Sequence, residues 1–507
     1  MQPETGSIRI LLEPLGKSVQ APRGASLQDL LFSHGVEFPC GGQASCKGCR
    51  VRVIRGQVAV QPGEEAILSA EEIAAGWRLA CRLRPDQDIT LEIAQWETVI
   101  LSDETPVKAS SRQGLGVAVD LGTTTLVAQL VDLGSGHVLG VRTSLNPQAA
   151  YGSDVMSRIE SALSRGDGPA LTHVIRGRIG ELVSDLLAEA GPRAARLAGV
   201  VIVGNTVMHH LFCGFDVEPL SHVPFHTERG GPVLFHPSEL GWNLPEAVTI
   251  RFLPCLGGFV GSDILAGILA ARLDEADTLA GLIDLGTNGE IVFGDRNRLI
   301  CASTAAGPAF EGGLVSKGMR AATGAISEVH LGSAGPVCHV LGGVPPRGIC
   351  GSGLVDAVAV GLDLGVIAPS GRLAGGNPWV LAPPVSLTQS DVRALQLAKG
   401  AIAAGIRIVL ARLGARPADV TRIYLAGAFG NYVNRASARR IGLFDFPLES
   451  VSQAGNTALH GARLALVSDL VGDYADVRQR IEHISLAVDP EFQEIFTGEM
   501  SFPATAS

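Results

Sequence analysis

The tetrapeptide Asp-Leu-Gly-Thr occurs twice, at 120–123 and 284–287, each time directly after an apolar run, Val117-Ala118-Val119 and Gly281-Leu282-Ile283. A strand-and-turn unit repeated at such long spacing predicts two similar lobes, each built on its own sheet. In such a tight turn, the glycine and the hydroxyl side chains offer amides and oxygens to a phosphate. An aspartate at the strand end can hold Mg²⁺ through water. Gly122, Thr123 and Thr124 in the first turn, and Gly286, Thr287 and Asn288 in the second, are therefore candidate nucleotide contacts. Asp120 and Asp284 are the candidate carboxylates, and two such turns facing across a cleft grip one nucleotide from both sides. Ordinary strand-to-helix turns of an α/β protein are the bland alternative.

A third element, Ile423 to Asn431, is an apolar strand followed by Gly427, Gly430 and Asn431, small residues on which an adenosine can lie flat. A second echo joins Gly204-Asn205-Thr206 to Gly455-Asn456-Thr457. From Gly116 onward, apolar strands ending in glycine turns alternate with helical stretches such as 171–190 and 391–412, the pattern of an α/β domain. The 63 glycines suit a fold with several tight hairpins. Cys350-Gly351-Ser352-Gly353 opens a further helix, either beside the nucleotide or as a plain helix start. The expected organisation is a small domain over 1–98, a linker over 99–114, and a two-lobed domain over 115–500 divided at about 255/256.

The small domain is dominated by cysteine. Four of the nine cysteines fall between Cys40 and Cys81. Cys40, Cys46 and Cys49 share the loop CGGQASCKGC, and Cys81 follows on a separate segment. Thiolates so spaced can converge on one inorganic cluster, with the amides around Gly41, Gly42 and Gly48 turned towards its sulfides. A structural zinc site is the alternative, although zinc sites usually come as two CxxC pairs and only Cys46 and Cys49 form one here. Strands at 7–13, 50–54 and 88–94, with a helix over 26–34 capped by Ser26, make a small mixed sheet wrapped on one helix.

Residues 5–96 resemble the plant-type and adrenodoxin-type ferredoxins, including Arg78-Leu79-Ala80 before Cys81, with the five-residue first gap of the adrenodoxin branch. That likeness implies a β-grasp fold and a 2Fe-2S cluster on Cys40, Cys46, Cys49 and Cys81. Residues 115–480 keep the order first phosphate loop, second phosphate loop, adenosine loop. They resemble the acetate and sugar kinase, heat-shock chaperone and actin (ASKHA) superfamily, which implies an actin-like, duplicated RNase H-like fold that binds ATP and Mg²⁺.

The combination resembles the reductive activators of corrinoid proteins. Supporting stretches are Asn146-Pro147-Gln148, Tyr151-Gly152-Ser153-Asp154, Gly204 to Met208, Gly257 to Asp263 and Gly307 to Gly312. The likeness implies ATP-dependent return of one electron to Co(II), giving Co(I), in a corrinoid-dependent methyltransferase system. It further implies a corrinoid protein partner and an upstream electron-donating reductase. A plant-type cluster sits near about −400 mV, so ATP helps only by favouring a state in which the electron is trapped or cobalt ligation changes. Ser262, Asp263 and Glu311 are candidates to face the cobalt-bearing partner, or else to line the nucleotide cleft or cap helices. His209 and His210 read as core or cap residues. The linker is short, so the middle domain of longer members is expected to be reduced or absent.

The net charge of −10 and the lack of a basic run argue against nucleic acid. The N-terminal residues carry no signal-peptide pattern, and an odd cysteine count points to a reducing cytoplasm rather than a disulfide framework. The uncharged stretch 197–215 is long enough to be mistaken for a membrane span, but its Gly204, Asn205, His209 and His210 fit a buried strand, a turn and a helix. A homodimer is the default assembly. Three other functions compete: a small-molecule kinase with an attached redox sensor, using Asp120 or Asp284 as catalytic carboxylate; a non-catalytic ATP-binding regulator; and an activator of a radical dehydratase, whose four-iron cluster bridging two subunits nothing here matches.

Overall fold

The computed structural model describes residues 7–13, 17–32, 49–93, 112–333, 335–467 and 471–504, together with Val36, Ala44 and Val107. The first unit contains β1 (Ser7–Glu13), β2 (Lys17–Pro22), α1 (Gln28–Phe32), β3 (Arg50–Arg55), α2 (Glu64–Ile67), α3 (Ala70–Ala74), β4 (Trp77–Leu79) and β5 (Ile89–Ile93). Its sheet runs β2-β1-β5-β3-β4, with the parallel β1–β5 pair at the centre. Strict alternation buries Ile8, Ile10 and Leu12 on one face of β1. The helix is shorter than its sequence pattern, starting at Gln28, whose amide donates to the Ser26 hydroxyl at 3.4 Å. Cys40, Cys46 and most of their loop lie outside the described residues.

The second unit contains β6 (Leu115–Leu121), β7 (Thr125–Asp132), β8 (Val138–Leu145), α4 (Val155–Ser164), α5 (Gly168–Ala190), β9 (Leu197–Gly204), α6 (Thr206–Cys213), β10 (Val233–Phe235), α7 (Pro237–Leu240), β11 (Thr249–Phe252) and α8 (Ser262–Ala271). The third begins with β12 (Ala280–Leu285), β13 (Gly289–Gly294), β14 (Leu299–Thr304), β15 (Ala325–Gly332), β16 (Gly335–Val340), β17 (Gly348–Ile349), α9 (Gly351–Asp363), β18 (Trp379–Ala382), β19 (Val385–Leu387) and α10 (Gln389–Arg412). It ends with β20 (Arg422–Ala426), α11 (Gly427–Gly430), α12 (Arg435–Arg440), β21 (Val451–Gly455), α13 (Thr457–Val467), α14 (Val471–Arg480), β22 (Ile481–His483) and α15 (Phe492–Glu499).

The two larger sheets have matching cores. One runs β10-β11-β9-β6-β7-β8 and the other β21-β20-β12-β13-β14-β22. In each, an antiparallel three-strand meander is followed by two strands parallel to its first member. Strands β6, β9 and β11 thus correspond to β12, β20 and β21, and the duplicated Asp-Leu-Gly-Thr turns occupy equivalent hairpins. The second echo does not. Asn205 follows β9 and Asn456 follows β21, positions that the duplication does not relate.

The 197–215 stretch is the strand, turn and helix expected, β9 and α6. Of the described helices, α10 alone is long and apolar enough to cross a membrane, and 78% of its most apolar window is buried inside the protein. The lobes meet where α8, following β11, packs on α13, following β21. Glycine makes the crossing close: a methyl group on Gly461 would overlap the Ala266 carbonyl, and one on Gly267 would sit 3.0 Å from the Thr457 hydroxyl. Gly461→Val therefore destabilises the two-lobed domain by about 2–3 kcal/mol in chemical denaturation, without loss of the first domain's visible spectrum.

Candidate functional site

Two sites emerge, one in each part of the chain. In the first domain, Cys49 immediately precedes β3 and Cys81 sits in the turn after β4. Both are buried, and their sulfurs lie 3.6 Å apart. That is far beyond a disulfide bond, and close to the roughly 3.7 Å that separates two thiolates on one tetrahedral metal with bonds of about 2.3 Å. The Ala80 amide donates to the Cys49 carbonyl at 2.9 Å, tying the two segments together. Glu64, 1% exposed, accepts from the Leu79 amide at 2.6 Å and the Gln61 amide at 2.7 Å, so its carboxylate fixes the approach to Cys81.

The second site is a cleft of about 260 Å³ between the lobes. Both predicted hairpins line it through Asp120, Gly122, Thr123, Thr124, Asp284, Gly286, Thr287 and Asn288. Each turn closes on itself: the Gly122 amide donates to Thr125 O at 3.1 Å and the Gly286 amide to Asn288 O at 3.0 Å. A Cβ at Gly122 would lie 2.6 Å from the Thr125 carbonyl, so the first turn requires glycine. Gly427 has φ of +78°, and a methyl there would collide with the Asp284 carboxylate.

The two asparagines of the second echo converge on the first hairpin despite their unequal origins. Asn205 Nδ2 donates to Thr123 Oγ1 at 2.9 Å, and Asn456 Nδ2 donates to Asp120 Oδ2 at 2.8 Å. Each also caps its helix, accepting from Met208 N at 3.0 Å and from Leu459 N at 2.8 Å.

Five carboxylates line the cleft, and four of them hold their protons above the usual range. Burial raises Asp120 to about 6 against the pull of Asn456. Burial and the neighbouring Asp120 raise Asp284 to about 7. Burial, Asp284 and Asp120 raise Asp263 to about 8. Glu290, which accepts from Ser303 Oγ at 3.3 Å, is pushed well above the usual range by burial, Asp263 and Asp284. Asp263 takes the second of its two expected places, the lining of the cleft, whereas Glu290 was not among the expected residues; the raised carboxyl is a product of assembly, invisible along the chain.

The structure decides among the remaining expectations, correcting some and meeting others. Ser262 does not face a partner: it is fully buried, and its hydroxyl bonds the Gly204 amide at 3.1 Å and carbonyl at 3.2 Å. Glu311 lines the cleft and accepts from Thr287 Oγ1 at 2.8 Å. Of the three small residues singled out in the third element, only Gly427 borders the cavity. Gly430 is buried behind it and Asn431 ends the short α11. The wall there is aromatic: Phe429 stacks on Phe310 with centroids 4.3 Å apart, beside Tyr432. Cys350, Gly351 and Ser352 at the start of α9 do join the lining. His209 and His210 are core residues, the latter held by Thr206 O and Thr227 Oγ1, each at 2.8 Å.

Fold and sites together define a ferredoxin-type domain joined to a two-lobed ATP-binding domain. Comparison with known proteins gives the same division. The family model for the 2Fe-2S iron-sulfur cluster binding domain matches 10–86, the RACo middle region matches 115–276, and the C-terminal ASKHA domain of RACo matches 278–507. The chain belongs to the reductive activators of corrinoid proteins. It is 35% identical over 430 residues to the corrinoid activation enzyme RamQ of Eubacterium limosum, covering 78% of this chain and 71% of that one. It is 27% identical to the [Co(II) methylated amine-specific corrinoid protein] reductase of Methanosarcina barkeri, over 76% of this chain and 77% of that one. A solved structure of a reductive activator for a corrinoid, iron-sulfur protein superposes with a TM-score of 0.69 at 29% identity, covering 98% and 99% of the two chains. The middle region is thus present as the lobe over 115–276, against the expectation that it would be reduced or absent; the short segment is the linker before it.

Asp284 gives the cleft a measurable pH signature. The unfolded side chain ionises near pH 4, while the folded one keeps its proton to about 7. The folded state therefore binds the extra proton between those values, and stability falls as pH rises through them. Asp284→Asn removes that loss. Thermal melts of the variant should exceed wild type at pH 8 by a few kcal/mol and approach it near pH 4.

Proposed function

We propose that this chain reduces the Co(II) of a corrinoid protein to Co(I) by one electron from its 2Fe-2S cluster, under the control of ATP bound between the lobes, in support of a corrinoid-dependent methyltransferase. The observation that carries the reading is the pairing, in one chain, of buried thiolates at metal-bridging distance with a two-hairpin nucleotide cleft. When bound, the cluster supplies a low-potential one-electron donor. Cys40, Cys46, Cys49 and Cys81 are its ligands in this reading. Glu64 and the Ala80 amide hold the last two in place.

The two hairpins take the phosphates, and Gly427 with the Phe310–Phe429 stack borders the adenosine. Asp120, Asp284 and Asp263 fit Mg²⁺ held through water, because burial raises all three, repulsion adds to the rise at Asp284 and Asp263, and a divalent cation offsets both. A nucleotide bridging the hairpins draws on both lobes at once, and the α8–α13 crossing is where their relative rotation is absorbed. The cluster domain also feels lobe two. Glu92 of β5 bonds Arg52 at 2.6 Å and pairs with Arg347, three residues before the cleft residue Cys350. An upstream reductase recharges the cluster, the setting is the cytoplasm, and a homodimer remains the proposed assembly.

Mixing the reduced protein, ATP and a Co(II) corrinoid protein should produce the Co(I) absorbance band, and should produce far less without ATP. No ATP-dependent band with any cognate corrinoid protein would sink the proposal. Cys46→Ser should abolish the cluster's visible spectrum; an unchanged spectrum removes Cys46 from the ligand set.

A further inference from the structure

Residues 146–158 border no part of the cleft, yet they grip its first hairpin from behind. Asn146 Nδ2 donates to the Gly122 carbonyl at 2.9 Å and the Asn146 amide donates to the Thr124 carbonyl at 2.9 Å. The Arg158 guanidinium donates to the carbonyl between them, Thr123, at 2.6 Å. Asn146 and Arg158 are both fully buried. Three successive carbonyls are therefore drawn into the interior, away from the cleft that Gly122, Thr123 and Thr124 line.

In a planar trans peptide the carbonyl and the following N–H point in opposite directions. Holding the Gly122 and Thr123 carbonyls inward turns the Thr123 and Thr124 amides outward. Among the described residues neither amide donates to another backbone group. Two adjacent outward amides form an anion-binding concavity.

Arg158 brings more than geometry. Its remaining hydrogen bonds go to neutral atoms: Gly152 O at 2.9 Å, Gln148 Oε1 at 3.3 Å and Met208 Sδ at 3.4 Å. The acid that acts on it electrostatically, Asp154, is committed to capping α4. Burial pulls the guanidinium down to about 9, the mark of a cation short of a counter-ion. The cleft in front has the opposite imbalance. Asp120, Asp263, Asp284, Glu290 and Glu311 line it against one lining cation, Arg320, and a polyphosphate must enter that field.

We propose that Arg158 is a buried counter-charge for the nucleotide's phosphates, a positioning residue that aims the first hairpin's amides and offsets phosphate charge from behind. This rests on the nucleotide reading of the cleft. A purely structural arginine would support every ligand alike, whereas a counter-charge acts in proportion to the charge on the ligand.

The test is calorimetric binding of MgATP, MgADP and adenosine to the full chain. Arg158→Gln keeps a donor for Thr123 without the charge. It should weaken MgATP by about tenfold or more, MgADP by less, and adenosine by under about twofold. Arg158→Lys should recover most of the MgATP affinity. Gln148→Glu, which sets a carboxylate against the guanidinium, should repeat the ATP-selective loss with Arg158 still in place. Equal losses for all three ligands would overturn the assignment, and so would unchanged MgATP affinity in folded Arg158→Gln. If Arg158→Gln does not fold, as judged by its melt and cluster spectrum, Gln148→Glu decides on the same terms. Wild-type protein that binds none of the three ligands would overturn the nucleotide reading, and this inference with it.

Discussion

Carboxylates of like charge, brought into one another's field by a helix crossing that only glycine allows, set the terms for the larger domain. Asp120 and Asp284 end equivalent strands of the two lobes, and Asp263 stands in the first turn of α8. Burial raises each of them first. Together each raises another's hold on its proton, so at neutral pH the cleft must keep protons or accept cations. Moving Gly461 away from Ala266 would relieve the repulsion and dissolve the site. Packing energy at α8–α13 is spent on electrostatic strain in the cleft, a common trade at functional sites.

Among the described residues, a charged contact ties the cluster domain to this arrangement. Glu92 is largely buried and shared between Arg52 of its own sheet and Arg347 of lobe two. Arg347 leads directly into β17 and then into Cys350, Gly351 and Ser352 at the cleft. The segment that touches the first domain is therefore continuous with residues that line the cleft.

Much of this was readable from local pattern. The paired Asp-Leu-Gly-Thr turns gave two equivalent hairpins because a strand, a glycine turn and hydroxyls are a local code. The cysteine spacing identified a cluster domain for the same reason. What escaped was everything that depends on which strand lies beside which. The Gly-Asn-Thr echo looked like symmetry, but β9 and β21 are not related by the duplication; both asparagines reach the first hairpin because capping and reaching sideways suit an asparagine after any strand. Ser262 and Asp263 are neighbours in sequence, yet one is sealed against Gly204 and the other lines the cleft, since consecutive helical residues face different ways. The third element seemed bare because its glycines stood out, and Phe429 between them forms the wall.

The duplicated hairpins have also diverged in what holds them. The first is fastened by Asn146, Arg158, Asn205 and Asn456, from its own lobe and from across the cleft. The second is bonded through Thr287 to Glu311, at the start of a glycine-rich loop. That loop is pinned further on by Ser316, whose amide and hydroxyl each meet the buried Asp391 at 2.7 Å. A phosphate arriving between the hairpins meets a fixed wall on one side. On the other it meets a carboxylate that must exchange its hydrogen bond or tolerate the new charge. In the proposed reading, a displacement on phosphate binding falls on the Thr287–Glu311 side, the lobe that also contacts the cluster domain through Arg347. Unequal fastening of two equivalent turns gives the nucleotide a direction in which to push.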